Sequence, residues 1–437
     1  MLKRLYVDNF RCLVDFELNF DSINLFLGDN GAGKSTVFDV LSKLQLIITT
    51  NIDLSSIFKL SDYTRWKNLD LDHGDLEYEE KQNLSKENSQ KFELKIEGNG
   101  GIYKYELKVF FQYMERQVTK PYSFQPVVLD DMDFESSIIE FNHEEFYETY
   151  ETYEIFVVSE CLWFNEEIIL NIYEQKVEIF LDNGTLNDSS RYNYSQSIIP
   201  LLKPDNNNKK IIWFRDRIKR LAILKITPNL ITSESSQKNS FLTKKIENFV
   251  SWYRYIFVDN QNKIAQLTES LQEILDGFVS FKLESISEKA VILKLIFKTE
   301  ESDQNIEYTF GELSDGQKVL VVLYSLFYGL ESQDYTLCID EPENFLALPE
   351  IQPWLFQLYD LCSQGKLQAL LISHHPELID YLLASPVGYW FKRESNSSVQ
   401  VIPIDNNFLQ PVINNIQQEN QSGLKMSELI IRGWLDE

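Results

Sequence analysis

Apolar and polar positions alternate at the start of the chain. LKRLYVDNF and VDFELNF follow the period of half-buried strands. INLFLG is a short unbroken apolar run ending at Gly28, which predicts a strand buried on both faces. The period then changes. After DNGAGKST, the residues Val37, Phe38, Val40, Leu41 and Leu44 share one face of a helix. The opening order is therefore strand, turn, strand, loop, helix.

From Asp53 to Lys91 the chain is polar and irregular, as in an exposed insertion. KFELKIEGNGGIYKYELKVFF then predicts a β-hairpin turning at Asn99-Gly100-Gly101. Residues 112–280 are mixed. The acidic, tyrosine-rich EEFYETYETYEIF within them reads as a solvated strand or helix face. The strand period returns in AVILKLIFKTEESDQNIEYTF. ELSDGQKVL follows and opens a helix whose run Val319 to Leu330 is apolar enough to be buried. YTLCIDEPENF, QALLISHHPELI and VGYWFKRESNSSVQVIPI add strands and loops, and KMSELIIRGWLDE predicts a short amphipathic helix. No segment repeats.

Composition narrows the class. In 437 residues, a hydrophobic share of 43% is enough for a sizeable packed core. The formal charge of −26, from 67 acidic and 41 basic residues, argues against a protein that coats DNA or a membrane by net charge. Cys12, Cys161, Cys338 and Cys362 are scattered, with no spacing of a zinc knuckle or redox pair. That usage fits a reducing cytosol. The N-terminus lacks the apolar core of a signal peptide, and no apolar run reaches membrane-spanning length. The expectation is a soluble, cytoplasmic protein with no membrane partner.

Two stretches carry chemistry. Gly28 to Ser35, GDNGAGKS, fits G-x-x-x-x-G-K-[ST] and stands between a predicted strand and helix, as a phosphate-binding loop requires. Gly28, Asn30, Gly31 and Gly33 lie in the curl that aims backbone N–H groups at a phosphate. Lys34 supplies a cation for the β- and γ-phosphates, Ser35 a hydroxyl for Mg²⁺, and the helix from Thr36 turns its positive end to the anion. The bland alternative is a glycine turn without ligand. In TLCIDEPEN, Asp340 and Glu341 close an apolar strand, where ligands bind in open α/β sheets. Asp340 is placed to hold Mg²⁺, directly or through water, and Glu341 to take a proton from an attacking water. His374 ends the next strand and can hydrogen-bond a γ-phosphate or that water, with His375 as the competing choice. Two adjacent histidines on an extended chain face apart, so a shared metal is disfavoured.

The order phosphate loop, long insertion, LSDGQ, IDEPEN, ISHHPE resembles the ABC-type ATPases of the RecF/SMC/OLD kind, a branch grouped with AAA-family ATPases. NFRCLVDFELNF is similar to that family's opening, in which an arginine, here Arg11, sits close to the nucleotide. The resemblance covers roughly residues 1–50 and 300–437. It implies an α/β P-loop NTPase head of ABC/SMC type, a mixed sheet flanked by helices, with ATP and Mg²⁺ as cofactors. The head is expected in two parts, residues 1–115 and 281–437, around an inserted, mainly helical lid at 116–280. It implies that LSDGQ is a signature motif closing over the ATP of a second subunit, through Ser314, Gly316 and Gln317. The residues agree with that role, because a helix N-terminus with spare N–H groups favours an anion. A plain N-cap by Ser314 is the alternative, and the two are compatible.

Lys34 and Ser314 stand 280 positions apart, like the RecF/SMC group and unlike transporter subunits. No sustained heptads occupy the gap, so a compact lid is expected rather than a coiled coil. Two features depart from the family. NFLALPEIQPW after Glu341 implies a differently shaped inter-subunit loop. The glutamine that normally lines the site is unassigned, Gln112 being a candidate. Few residues follow Pro376, which disfavours the TOPRIM nuclease of OLD-type relatives in this stretch.

The implied function is an ATPase whose heads form a homodimer or higher oligomer around ATP, driving a separate effector, such as a nuclease in a bacterial defence pair. A second reading is DNA repair or DNA-end binding. Lys203 to Lys225 holds eight basic and two acidic residues, the one clear basic island, and Trp213 and Phe214 could stack on bases. Its bland reading is a lid face docked on acidic surface. A non-catalytic switch or scaffold is a third reading, opposed by the intact Lys34, Asp340 and Glu341.

Overall fold

The N-terminal alternation forms β1 (Leu2–Asp8) and β2 (Phe16–Asn19), and the apolar run forms β3 (Ile23–Gly28). In this computed structural model residues 1–64, 89–119, 147–173, 176–191, 195–299, 304–330, 334–375, 378 and 388–404 are described. Helix α1 (Lys34–Thr49) starts where the phosphate loop ends and buries Val37, Phe38, Val40, Leu41 and Leu44, the face its period predicts. The expected hairpin is β4 (Gln90–Gly98) and β5 (Gly101–Thr119). Asn99 and Gly100 both have positive φ, the conformation of a two-residue turn whose twist matches its strands.

The next segment departs from the expected mainly helical lid. It continues as β6 (Tyr147–Phe164), β7 (Glu167–Tyr173), β8 (Lys176–Phe180) and β9 (Leu186–Arg191). These strands extend the N-terminal sheet to eight, in the antiparallel order β2-β1-β4-β5-β6-β7-β8-β9. The reason is pairing: β5 offers a long edge, and a meander of alternating strands satisfies its backbone groups. The acidic tyrosine-rich stretch falls largely in β6.

Helix α2 (Lys209–Lys219) follows and leads into β10 (Leu221–Leu224), β11 (Glu234–Ser235), α3 (Phe249–Phe257) and α4 (Gln261–Gln272). A small sheet of β12 (Phe278–Ser285), β13 (Val291–Lys298) and β14 (Asn305–Thr309) also takes in β11. The C-terminal part supplies α5 (Asp315–Leu330), β15 (Thr336–Asp340), α6 (Leu348–Ser363), β16 (Gln368–Ile372), β17 (Gly388–Lys392) and β18 (Gln400–Ile404). The tail stretch KMSELIIRGWLDE and most of the polar stretch after Asp53 lie outside the described residues.

Six strands build the second large sheet, in the order β10-β15-β16-β3-β17-β18. All neighbours are parallel except the last pair. β10 comes from the segment expected as an insertion, so that segment contributes an edge strand to the sheet of the phosphate loop. Helix α1 packs between this sheet and the antiparallel one, in a core that joins Leu5, Phe26, Val37, Leu41 and Phe214. Helices α3 to α6 cover the opposite face. α5 is buried nearly all round, as its apolar run requires. Trp354 of α6 stacks on Phe327 of α5 at 5.3 Å, and its indole N–H donates to the Leu323 carbonyl at 3.0 Å.

A tight turn, Phe310–Glu312, hands β14 on to the signature stretch. Thr309 caps it, and the Glu312 carboxylate accepts the Thr309 backbone N–H at 2.7 Å. Thr309→Ala is expected to cost about 1 kcal/mol, read as a lower urea midpoint with an unchanged slope.

Candidate functional site

Parallel strands set the site. The C-terminal ends of β3, β15, β16 and β10 lie side by side and deliver the phosphate loop, the acidic pair, His374 and Lys225. A cleft of about 900 Å³ opens there. Arg11, Asn30, Gly31, Gly33, Lys34, Ser35, Thr36, Glu341 and His374 all line it, so most of the sequence-derived candidates meet in one place.

The loop is held open by close backbone packing. Gly28 has φ of 129°, and a Cβ there would stand 2.1 Å from the Phe391 carbonyl oxygen on the neighbouring strand. Gly33 has φ of 100° and lies against Val399 and Cys12, which leaves no room for a side chain. Lys34 is 4% exposed. Its ammonium donates to the carbonyls of Gly28 at 2.6 Å and Asp29 at 2.8 Å. No carboxylate lies within ion-pair distance of it among the described residues. Burial pulls its pKa down to about 8, against the charges of Asp29, Asp340 and Glu341. A buried ammonium satisfied only by carbonyls is suited to receive an anion.

The Ser35 hydroxyl donates to Asp340 Oδ2 at 3.3 Å. These two hard oxygen donors, beside a phosphate cradle, fit Mg²⁺ bound with a nucleotide. Glu341 has a left-handed backbone, φ 56°, at the strand end, a strained conformation of a kind that clusters at functional sites. Its Oε2 accepts from Lys225 Nζ at 3.2 Å and from Asn344 Nδ2 at 2.8 Å, and its Oε1 lies 3.4 Å from His374 Nε2. Burial would raise the Glu341 carboxyl, but the Lys225 bond and charge outweigh it, and the net shift is downward. Burial, together with the charge of Lys34, holds His374 below its ordinary value, which favours neutral imidazole. Of the adjacent histidines, it is His374 that lines the cleft; the backbone N–H of His375 donates to Ser373 Oγ.

Arg11 also has positive φ, 50°. Its guanidinium is tied to Asp39 and Asp62, each at 2.8 Å, so it forms a wall of the cleft already neutralised by two carboxylates. Gln112 lies in β5, opposite Glu154, and its side chain is outside the described residues.

The signature stretch is elsewhere. Ser314, Gly316 and Gln317 line no part of the cleft. Ser314 Oγ accepts the Gln317 N–H at 3.3 Å while Gln317 Oε1 accepts the Ser314 N–H at 3.0 Å, a reciprocal cap at the start of α5. Gly316 is needed for packing: a Cβ there would stand 2.9 Å from the Phe345 carbonyl oxygen. This ties the signature helix to the loop that follows the acidic pair, where Phe345 is 57% exposed with φ 72°.

Sequence reasoning missed Tyr63, Arg393 and Asn396, which also line the cleft, and the role of Lys225. Arg393 donates to the Gly31 carbonyl at 3.4 Å from the β17–β18 connection, a placement set by sheet order alone. Part of the basic island is taken up within the fold. Phe214 is fully buried, and Trp213 stacks on Tyr103 at 4.9 Å over Gly98. Arg217 is buried against Thr336 and Asp334, Arg215 bonds the Leu202 carbonyl, and Lys225 meets the acidic pair. Lys203, Lys209, Lys219 and Lys225 remain exposed, Lys219 beside Asp216.

All four cysteines are free thiols, and no helix among the described residues is long and apolar enough to cross a membrane. Residues 23–380 match the family described as "AAA domain, putative AbiEii toxin, Type IV TA system". The chain belongs to this AAA family. Among solved structures it is similar to the SMC head domain from Thermotoga maritima, at 13% identity, 92% of this chain, 99% of that one and a TM-score of 0.39. An SMC head bound to the C-winged helix domain of ScpA matches at 9% identity, 92% and 98% coverage and a TM-score of 0.47. A third is the Smc head domain with an extended coiled coil bound to the C-terminal domain of ScpA derived from Pyrococcus furiosus, at 9% identity, 95% and 99% coverage and 0.47. No curated protein matches the chain. The phosphate loop, acidic strand end and parallel sheet are the P-loop NTPase architecture of an AAA-family chain.

Proposed function

We propose that this AAA-family chain binds and hydrolyses ATP, and that two copies of its head associate around the nucleotide. The observation that carries the reading is Lys34, a buried ammonium facing a large cleft with no carboxylate partner among the described residues. On nucleotide entry its bonds to the loop carbonyls exchange for phosphate oxygens, while the loop N–H groups and the α1 dipole hold the β-phosphate. Mg²⁺, held by Ser35 and Asp340, would neutralise charge on the phosphates. Glu341 takes the proton of the attacking water, and His374, 3.4 Å from Glu341 Oε1 at rest, holds that water or the γ-phosphate in line.

The cleft of one copy lacks Ser314, Gly316 and Gln317, whose helix start faces outward. A second copy can bring that positive helix end over the bound phosphates, with the exposed Phe345 loop beside it. Opening on hydrolysis would switch a separate effector chain.

Glu341→Gln should bind ATP without consuming it and so trap the associated state. Light scattering is expected to show the mass at least doubling with ATP and Mg²⁺, and remaining that of one chain with Ser314→Arg added. A mass unchanged by ATP, while ATP is bound, would remove the trans role of LSDGQ.

A further inference from the structure

β10 ends beside the acidic strand and carries Lys225 into the site. Its ammonium lies 3.3 Å from Asp340 Oδ2 and 3.2 Å from Glu341 Oε2. Asp340 Oδ2 is the same oxygen that accepts from Ser35, the other proposed metal ligand. Lys225 therefore meets the acidic pair at the oxygen where a divalent cation would be bound. Glu341 Oε2 thus accepts from both Lys225 and Asn344, while His374 Nε2 stands 3.4 Å from Oε1. Charge makes the two cations alternatives: one ammonium meets two carboxylates here, whereas adding Mg²⁺ at the same oxygen would set like charges within a few ångströms.

We propose that Lys225 is a positioning residue, a built-in cation that occupies the acidic pair until metal and nucleotide arrive and is displaced by them. Displacement takes the ammonium off Glu341 Oε2, so the base sheds its ion pair only once the metal is in place. This rests on the ATPase reading of the site. It also gives a use to the last lysine of the basic island. Among the described residues no glutamine lines this cleft, and Lys225 is what reaches the acidic pair from the neighbouring strand.

The test uses Mn²⁺ alone as the probe, with the full chain and no nucleotide, and free Mn²⁺ read by electron paramagnetic resonance. Lys225→Met is expected to bind Mn²⁺ about tenfold more tightly than the unaltered chain, the size of losing one half-exposed competitor on two carboxylates. Lys225→Gln should move the same way, which guards against a folding defect in one variant. Lys225→Arg should restore the unaltered affinity, and Asp340→Asn on the Lys225→Met background should erase the gain. Unchanged or weaker Mn²⁺ binding in both neutral variants would overturn the proposal. A fluorescent ATP analogue is measured in parallel on the unaltered chain. If it fails to bind, the ATPase reading falls, while the Mn²⁺ shift still decides whether Lys225 competes for the acidic pair.

Discussion

Glu341→Gln is expected to lower ATP turnover about a thousandfold while leaving ATP affinity within a few-fold of the unaltered chain. General-base catalysis supplies roughly 10²–10⁴ in rate, and an amide of the same shape cannot take the proton. The substitution is local. Glutamine can still accept from Asn344, and the pair it loses with Lys225 is half-exposed, worth about 1 kcal/mol or less. Lys34 and the loop, proposed to hold the phosphates, are untouched. Neighbouring carboxyls cannot take over readily. Glu343 is buried, its Oε1 accepts from Ser373 Oγ, and burial pushes its pKa up, so it is held away from the water. Asp340 Oδ2 already meets Ser35 and Lys225, and on the proposed reading it would hold the metal. Single-turnover phosphate release at saturating ATP and Mg²⁺ reads the effect. A rate within about tenfold of the unaltered chain would assign the proton transfer elsewhere.

What the sequence made legible was local. GDNGAGKS and TLCIDEPEN each hold their chemistry within ten residues, so pattern alone places Lys34 and Ser35 at a helix start and Asp340 and Glu341 at a strand end. His374 was legible for the same reason, and the choice over His375 needed only the direction of one side chain. Lys225 was visible but misassigned, because its partners are 115 and 116 positions away. A signal did exist: LAIL before Lys225 is an apolar run ending at a charged residue, the same arrangement as TLCI before Asp340. The lid was misjudged for a similar reason. EIILNIY and KVEIF carry a strand period, yet they join the hairpin's sheet only through β6, by contacts that no single window contains. Trp213 and Phe214 show the limit of composition. Aromatics beside basic residues suit nucleic acid, and here they fill the core under β4 and β5.

The second large effect is expected at Lys34. Lys34→Met should weaken ATP binding by about 3 kcal/mol, roughly 150-fold, because truncating one side of a buried charge pair also leaves the phosphate facing an apolar wall. The fold should not suffer in proportion. In the nucleotide-free chain the Lys34 ammonium is buried and donates to two carbonyls of a tight loop, with no carboxylate within ion-pair distance among the described residues. Desolvation of that charge outweighs the attraction of Asp29, Asp340 and Glu341, which is why its pKa falls to about 8. Removing the charge therefore removes a cost, and methionine fills most of the same volume. Thermal unfolding of Lys34→Met is expected to occur at or above the unaltered midpoint, while titration with a fluorescent ATP analogue shows the lost affinity. The pairing of the two results is what separates a ligand-binding lysine from a structural one. A structural lysine would lower the midpoint when removed. A lysine kept for an anion lowers only the affinity.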